Sequence, residues 1–111
     1  MLQDDVVLVL TQAPDQEIAK NIAYLVVEEG LAACVNIATP VLSIYKWKDD
    51  IERTEEIPLT IKTTWSRYAA LSQRIKELHP YDIPEIVVVP VMAGDNAYIQ
   101  WVKDMTRDRS A

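Results

Sequence analysis

The sequence predicts an α+β fold whose elements run β-α-β-β-α-β, closed by a third short helix. Two unbroken apolar runs, Val6 to Leu10 and Ile86 to Val89, read as strands. Two stretches with apolar residues at 3.6-residue spacing lie between them, and Glu56 to Thr63 alternates between apolar and polar positions.

The first strand, Val6 to Leu10, is β-rich and apolar at every position, the pattern of a strand buried on both faces. Pro14 and Asp15 interrupt it, and Asp15 caps a helix carrying Ile18, Ile22, Leu25 and Val26, with Gly30 as its stop. Ala32 to Ile37 and Val41 to Trp47 read as one long bent strand, with a bulge or edge position at Thr39-Pro40. Lys48 to Arg53 is expected to form the turn of a hairpin, and Glu56 to Thr63 the returning strand. Ser66 is the expected cap of a second helix through Leu71, Ile75 and Leu78, which Pro80 ends. Pro84 opens a fourth strand, Glu85 to Val89. Asp95 caps a short helix carrying Tyr98, Trp101, Val102 and Met105 on one face, with a frayed tail from Lys103 to Ala111.

This order is the ferredoxin-like βαββαβ sandwich with an extra C-terminal helix and a long hairpin between the second and third strands. The 111 residues form one domain, 1–111, with its core at about 6–106. Two helices cover only one sheet face, yet both apolar strands also point large side chains at the other. An uncovered apolar patch of that size predicts a homo-oligomer.

Composition narrows the function. Seventeen acidic against 11 basic residues give a net charge of -6, which disfavours nucleic acid as a partner. The run Ile86 to Ala93 is too short to cross a membrane as a helix, and the N-terminus has no signal-peptide pattern, so a soluble cytoplasmic protein is expected. One cysteine and two glycines leave no room for a disulfide framework, a thiolate zinc site or a phosphate loop. The acidic stretch Asp49, Asp50, Glu52, Glu55 and Glu56 lacks the ordered spacing of a calcium loop and reads as a solvated hairpin tip.

The most suggestive segment is His79-Pro80-Tyr81-Asp82-Ile83-Pro84-Glu85. Two prolines fix a loop that gathers an imidazole, a phenol and two carboxylates between a helix end and a strand start. Lys62 stands between apolar neighbours on the third strand, either as a paired interior cation or as an edge residue. Cys34 lies in the small apolar segment Leu31 to Val35 and reads as a buried thiol.

The ordered series Leu31-Ala32-Ala33-Cys34-Val35-Asn36-Ile37, Ser43-x-Tyr45-x-Trp47, Lys62-Thr63, His79-Pro80-Tyr81-x-x-Pro84-Glu85 and Tyr98-x-x-Trp101 resembles the CutA divalent-cation tolerance family. The resemblance implies a homotrimer, cytoplasmic and without an established catalytic constellation, that acts in tolerance or response to copper and other divalent metals. It implies weak binding of Cu²⁺ or another divalent cation at His79 and Glu85. Members credited with copper binding have a first-strand cysteine and a second histidine where this chain has Thr11 and Leu78. By the same resemblance Cys34, Lys62, Tyr81, Tyr98 and Trp101 line an intersubunit cleft. The alternatives are a small-molecule sensor or signalling trimer using that cleft, an enzyme with His79 as general acid or base oriented by Glu85, and an assembly or anchoring protein.

Overall fold

A computed structural model describes residues 1–108. The elements are β1 (Val6–Ala13), α1 (Gln16–Glu28), β2 (Cys34–Ile37), β3 (Val41–Trp47), β4 (Asp50–Thr64), α2 (Trp65–Leu78), β5 (Ile86–Pro90) and α3 (Asn96–Met105). All strand pairs are antiparallel, in the order β2-β4-β1-β5, with β3 continuing along β4. This is the expected ferredoxin-like sandwich.

The 15-residue β4 is its spine. Residues 57–64 of β4 pair with β1, residues 59–62 with β2, and residues 50–56 with β3. The β2 and β3 registers differ by one residue, so 38–40 bulge opposite 57–58, where Thr39-Pro40 predicts a bulge. Pro58 fits the same place. Its carbonyl accepts from the Ala38 N–H at 3.0 Å, and its missing N–H would have pointed toward the same edge, where the ladder is already broken.

The core lies between the sheet and α1 and α2. Val7, Val9, Ala13, Ile57, Leu59 and Ile61 point to that side and pack on Ile22, Val26, Leu71 and Ile75. A smaller cluster joins Val102 of α3 to Val6 and Ala33. Asp15 caps α1 through the Ile18 N–H at 2.9 Å, and Asp95 caps α3 through the Tyr98 N–H at 3.0 Å. Gly30, at φ +74°, ends α1 in a conformation that favours glycine.

Five expectations are corrected. The hairpin turn is only Lys48-Asp49, and Asp50 to Arg53 are already paired with β3, because both turn residues adopt the positive φ of a two-residue turn. The strand β1 runs on to Ala13, since Thr11 and Ala13 continue its inward alternation. The start of α2 is Thr64-Trp65, not Ser66. Backbone carbonyls of Asp5 and Gln3 accept the Trp65 and Ser66 N–H groups at 2.8 and 2.7 Å, doing the work of a side-chain cap. On α3 only Val102 of the four named residues is buried; Tyr98, Trp101 and Met105 are exposed. Lys103 to Met105 are helical, and the Thr106 hydroxyl donates to the Val102 carbonyl at 2.8 Å, so fraying does not begin at Lys103; residues 109–111 lie outside the described residues.

Beyond the end where Val102 of α3 covers Val6, the second sheet face is uncovered in the protomer. Leu8 and Leu10 of β1 are half-buried there, and Val87 and Val89 of β5 are 47% and 40% exposed, so neither strand is buried on both faces within one chain. No helix among the described residues is long and apolar enough to cross a membrane.

Neither Lys48 nor Asp49 is glycine, yet both hold the left-handed backbone that such a turn requires. Replacing them by Asn-Gly is predicted to stabilise the protein by about 1 kcal/mol, read as a higher denaturation midpoint at unchanged m-value. An unchanged or lower midpoint would contradict this account of the turn.

Candidate functional site

The His79 to Glu85 loop is set by its prolines. A residue preceding proline avoids helical backbone, and His79 is extended at φ -92°, ψ 136° while its N–H still donates to Ile75. The imidazole is thereby turned inward. It is 7% exposed, with Nε2 2.7 Å from the Gln12 carbonyl and Nδ1 accepting from the Tyr81 N–H at 3.1 Å. These partners assign the neutral tautomer with its proton on Nε2. His79 is therefore a two-point clamp between the loop and the end of β1.

Gln12 is the hub of the site, and sequence reasoning did not single it out. Its backbone carbonyl holds His79, its side-chain amide donates to Glu85 at 3.4 Å, and its side-chain oxygen accepts from the Ser43 hydroxyl at 3.4 Å. One residue thus ties β1 to β3 and to the loop. The signal was the change from apolar to polar at the end of the outward-facing series Leu8, Leu10, Gln12.

These groups border a cleft of about 690 Å³ between the hairpin and the loop. The hairpin contributes Tyr45, Trp47, Glu52 and Glu56, and the loop contributes Tyr81, Asp82 and Glu85. Glu52, exposed, and Glu56, half-buried, therefore belong to a cleft wall and do not form a mere hairpin tip. The Tyr81 ring lies 4.7 Å from the His79 ring. Its phenol is pushed above the ordinary value of 10.0, first by burial and then by the charge of Glu56 and by Tyr45.

The other site residues named from sequence lie apart from this group in the protomer. Cys34 and Lys62 face each other across β2 and β4, with Lys62 Nζ 4.0 Å from Cys34 Sγ and also bonded to Asn36 Oδ1. Lys62 is four residues along β4 from Pro58, the register partner of Gln12, a separation on the order of 13 Å. Tyr98 and Trp101 pair on α3 with ring centroids 5.7 Å apart.

A resident metal does not fit the His79 site. A metal needs a free imidazole lone pair, but the Nδ1 lone pair accepts from Tyr81 and Nε2 carries the proton given to Gln12. Glu85 meets Gln12 rather than the imidazole. Thr11 is buried on the helix-covered face, and no group of three or more His, Cys, Asp or Glu suited to a metal occurs among the described residues.

Two outcomes are expected. Imidazole ¹⁵N NMR is predicted to show His79 protonated at Nε2, with both resonances unmoved by Zn²⁺; His79→Ala should cost about 2–4 kcal/mol, and His79→Gln less, because it can still donate toward Gln12. A metal-dependent shift of either nitrogen would contradict the clamp. For Tyr81, a raised folded-state pKa contributes stability that is full below the unfolded phenol value and is lost as pH rises through the folded one. Melting profiles above pH 10 should therefore fall more steeply for the wild type than for Tyr81→Phe, and equal slopes would remove that contribution.

A family model described as CutA1 divalent ion tolerance protein matches residues 7–105. The divalent-cation tolerance protein CutA of Thermus thermophilus is 42% identical over 99 residues, which cover 89% of this chain and 96% of that protein. Human protein CutA is 42% identical over 97 residues, 87% of this chain but 54% of its own length, so the chain spans about half of the human protein. The crystal structure of CutA from Xylella fastidiosa matches with a TM-score of 0.91 at 38% identity, over 93% of this chain and 99% of that one. The chain belongs to the CutA1 divalent ion tolerance family.

Proposed function

We propose that this protein acts in tolerance of copper and other divalent cations as a cytoplasmic homotrimer, through its assembled surface and without a catalytic step. The observation that supports assembly is the uncovered sheet face bearing Leu8, Leu10, Val87 and Val89. Next to it projects a two-stranded hairpin with Leu42, Ile44 and Ile51 each about 60% exposed. A two-stranded hairpin is marginal alone and needs packing from elsewhere, which further copies of the chain would supply. The number three follows the family resemblance.

The family's name supplies the cation connection. Because His79 would have to break a backbone hydrogen bond to ligate a metal, any binding of Cu²⁺ there is weak, and the proposed role does not pass through a metal centre at this residue.

Light scattering is expected to give three times the 12.6 kDa chain mass. Val89→Glu places a charge on the apolar face and should yield monomers. In a host lacking its own family member, the wild type should restore growth in elevated copper while Val89→Glu should not. A wild-type monomer, or full rescue by a monomeric Val89→Glu, would refute the proposal.

A further inference from the structure

The strand β2 forms one edge of the sheet and lies beside α1, with an open groove between them. Its register pairs Cys34 with Lys62 and Asn36 with Thr60, and the Ala38 N–H donates to the Pro58 carbonyl in the same phase. In an antiparallel pair the residues between such partners turn their main-chain groups the other way. The N–H and C=O groups of Val35 and Ile37 therefore point off the edge of the sheet. Their side chains point to the helix layer and pack partly against the core.

Ala23, Tyr24 and Val27 of α1 form the opposite wall, with Tyr24 70% and Val27 42% exposed. The groove measures about 670 Å³, and among the described residues none of the hairpin lines it. It opens on the helix side of the sheet, opposite the face bearing Leu8, Leu10, Val87 and Val89. The other edge strand, β5, ends on Pro90, which has no N–H to give. Cys34–Ile37 contains neither a proline nor a charge that would block an added strand.

These features specify an occupant. A row of main-chain donors and acceptors at strand spacing is matched by another extended backbone, and the apolar wall of α1 receives its alternate side chains. Charge sets the direction. Lys20 and Glu28 both border the groove, eight positions apart on α1 and so separated by about 12 Å. The Leu31 N–H donates to the Val26 carbonyl, which keeps the start of β2 beside the end of α1, so Glu28 lies toward Val35 and Lys20 toward Ile37. A strand antiparallel to β2 brings its N-terminal end to Lys20 and its C-terminal end to Glu28.

We propose that the groove between α1 and β2 binds an extended peptide segment of another protein, added antiparallel to β2. Two apolar side chains of that segment stand opposite Ile37 and Val35, with an acidic residue before them and a basic residue after them. The groove is built within one chain and stands apart from the proposed role in cation tolerance.

The test is ¹H–¹⁵N NMR titration of the purified full chain with the end-blocked peptide ETVTVTK. Saturable shifts of the Val35 and Ile37 amides, with slower solvent exchange of both, are expected. The same peptide N-methylated at both valines keeps its side chains but loses the donors, and should bind at least about tenfold more weakly. A similar loss is expected for the unmodified peptide with Tyr24→Asp, and the charge-reversed peptide KTVTVTE should bind more weakly than ETVTVTK. Light scattering and thermal melts establish that Tyr24→Asp keeps its fold and assembly; if it does not, the N-methylated peptide decides. The proposal is overturned by absence of saturable shifts, by equal binding of the N-methylated or the charge-reversed peptide, or by unchanged affinity in folded Tyr24→Asp. It is equally overturned if the Val35 and Ile37 amides are already protected before peptide is added, since another copy of the chain would then hold this edge.

Discussion

The rest of the molecule depends on the pairing of β4 along both of its edges. A strand held on one edge can slip in register, but residues 59–62 of β4 are fixed by β1 on one side and β2 on the other. That double constraint sets which side chains face the helices and which face outward. It also explains the one-residue bulge at 38–40. Beyond Ile57, β4 leaves β1 behind and continues with β3 alone, so the hairpin is an extension of the spine into solvent. Pro58 stands at that junction, where the loss of one ladder donor costs least.

The same face of the spine carries both an apolar surface and a polar one. Leu8, Leu10 and Gln12 point outward in turn along β1, so the series that begins as an uncovered hydrophobic face ends at the hub of the cleft. His79 secures that end. A backbone carbonyl and a backbone N–H from two distant segments meet one buried ring, and the ring satisfies both without a charge. Such an arrangement holds a proline-bounded loop more firmly than the two 3.4 Å side-chain contacts of Gln12 could.

Much of this was legible from residue pattern. The period-2 and 3.6-residue signals placed every element, and Asp15, Gly30 and Asp95 marked helix ends where local chemistry decides the outcome. The errors arose where distant backbone decided it. Ser66 had the composition of a cap, but the amide donors at the start of α2 are taken by carbonyls near the N-terminus, which no local pattern reveals. Asp50 to Arg53 looked like a turn because three of the four are charged, whereas cross-strand register made them strand. The polar composition of His79 to Glu85 is legible in the sequence, but the occupation of both imidazole nitrogens by backbone is visible only once β1 lies beside the loop. Gln12 escaped notice for the same reason, since its role depends on three segments meeting.

The charge pattern of the hairpin leaves unused a stabilising device that its ladder could have held. Opposite charges placed across an antiparallel pair contribute about 0.2–1 kcal/mol each, and a hairpin projecting from its sheet would gain from them. Here each basic residue of the ladder faces isoleucine, and the acidic ones face aromatic or aliphatic partners. The strands therefore forgo cross-strand neutralisation, and the carboxylates remain free on one side of a cleft whose other wall adds Asp82 and Glu85. Of these carboxylates Glu56 adds to the cost of ionising Tyr81, whose phenol is raised first by its burial and only then by that charge.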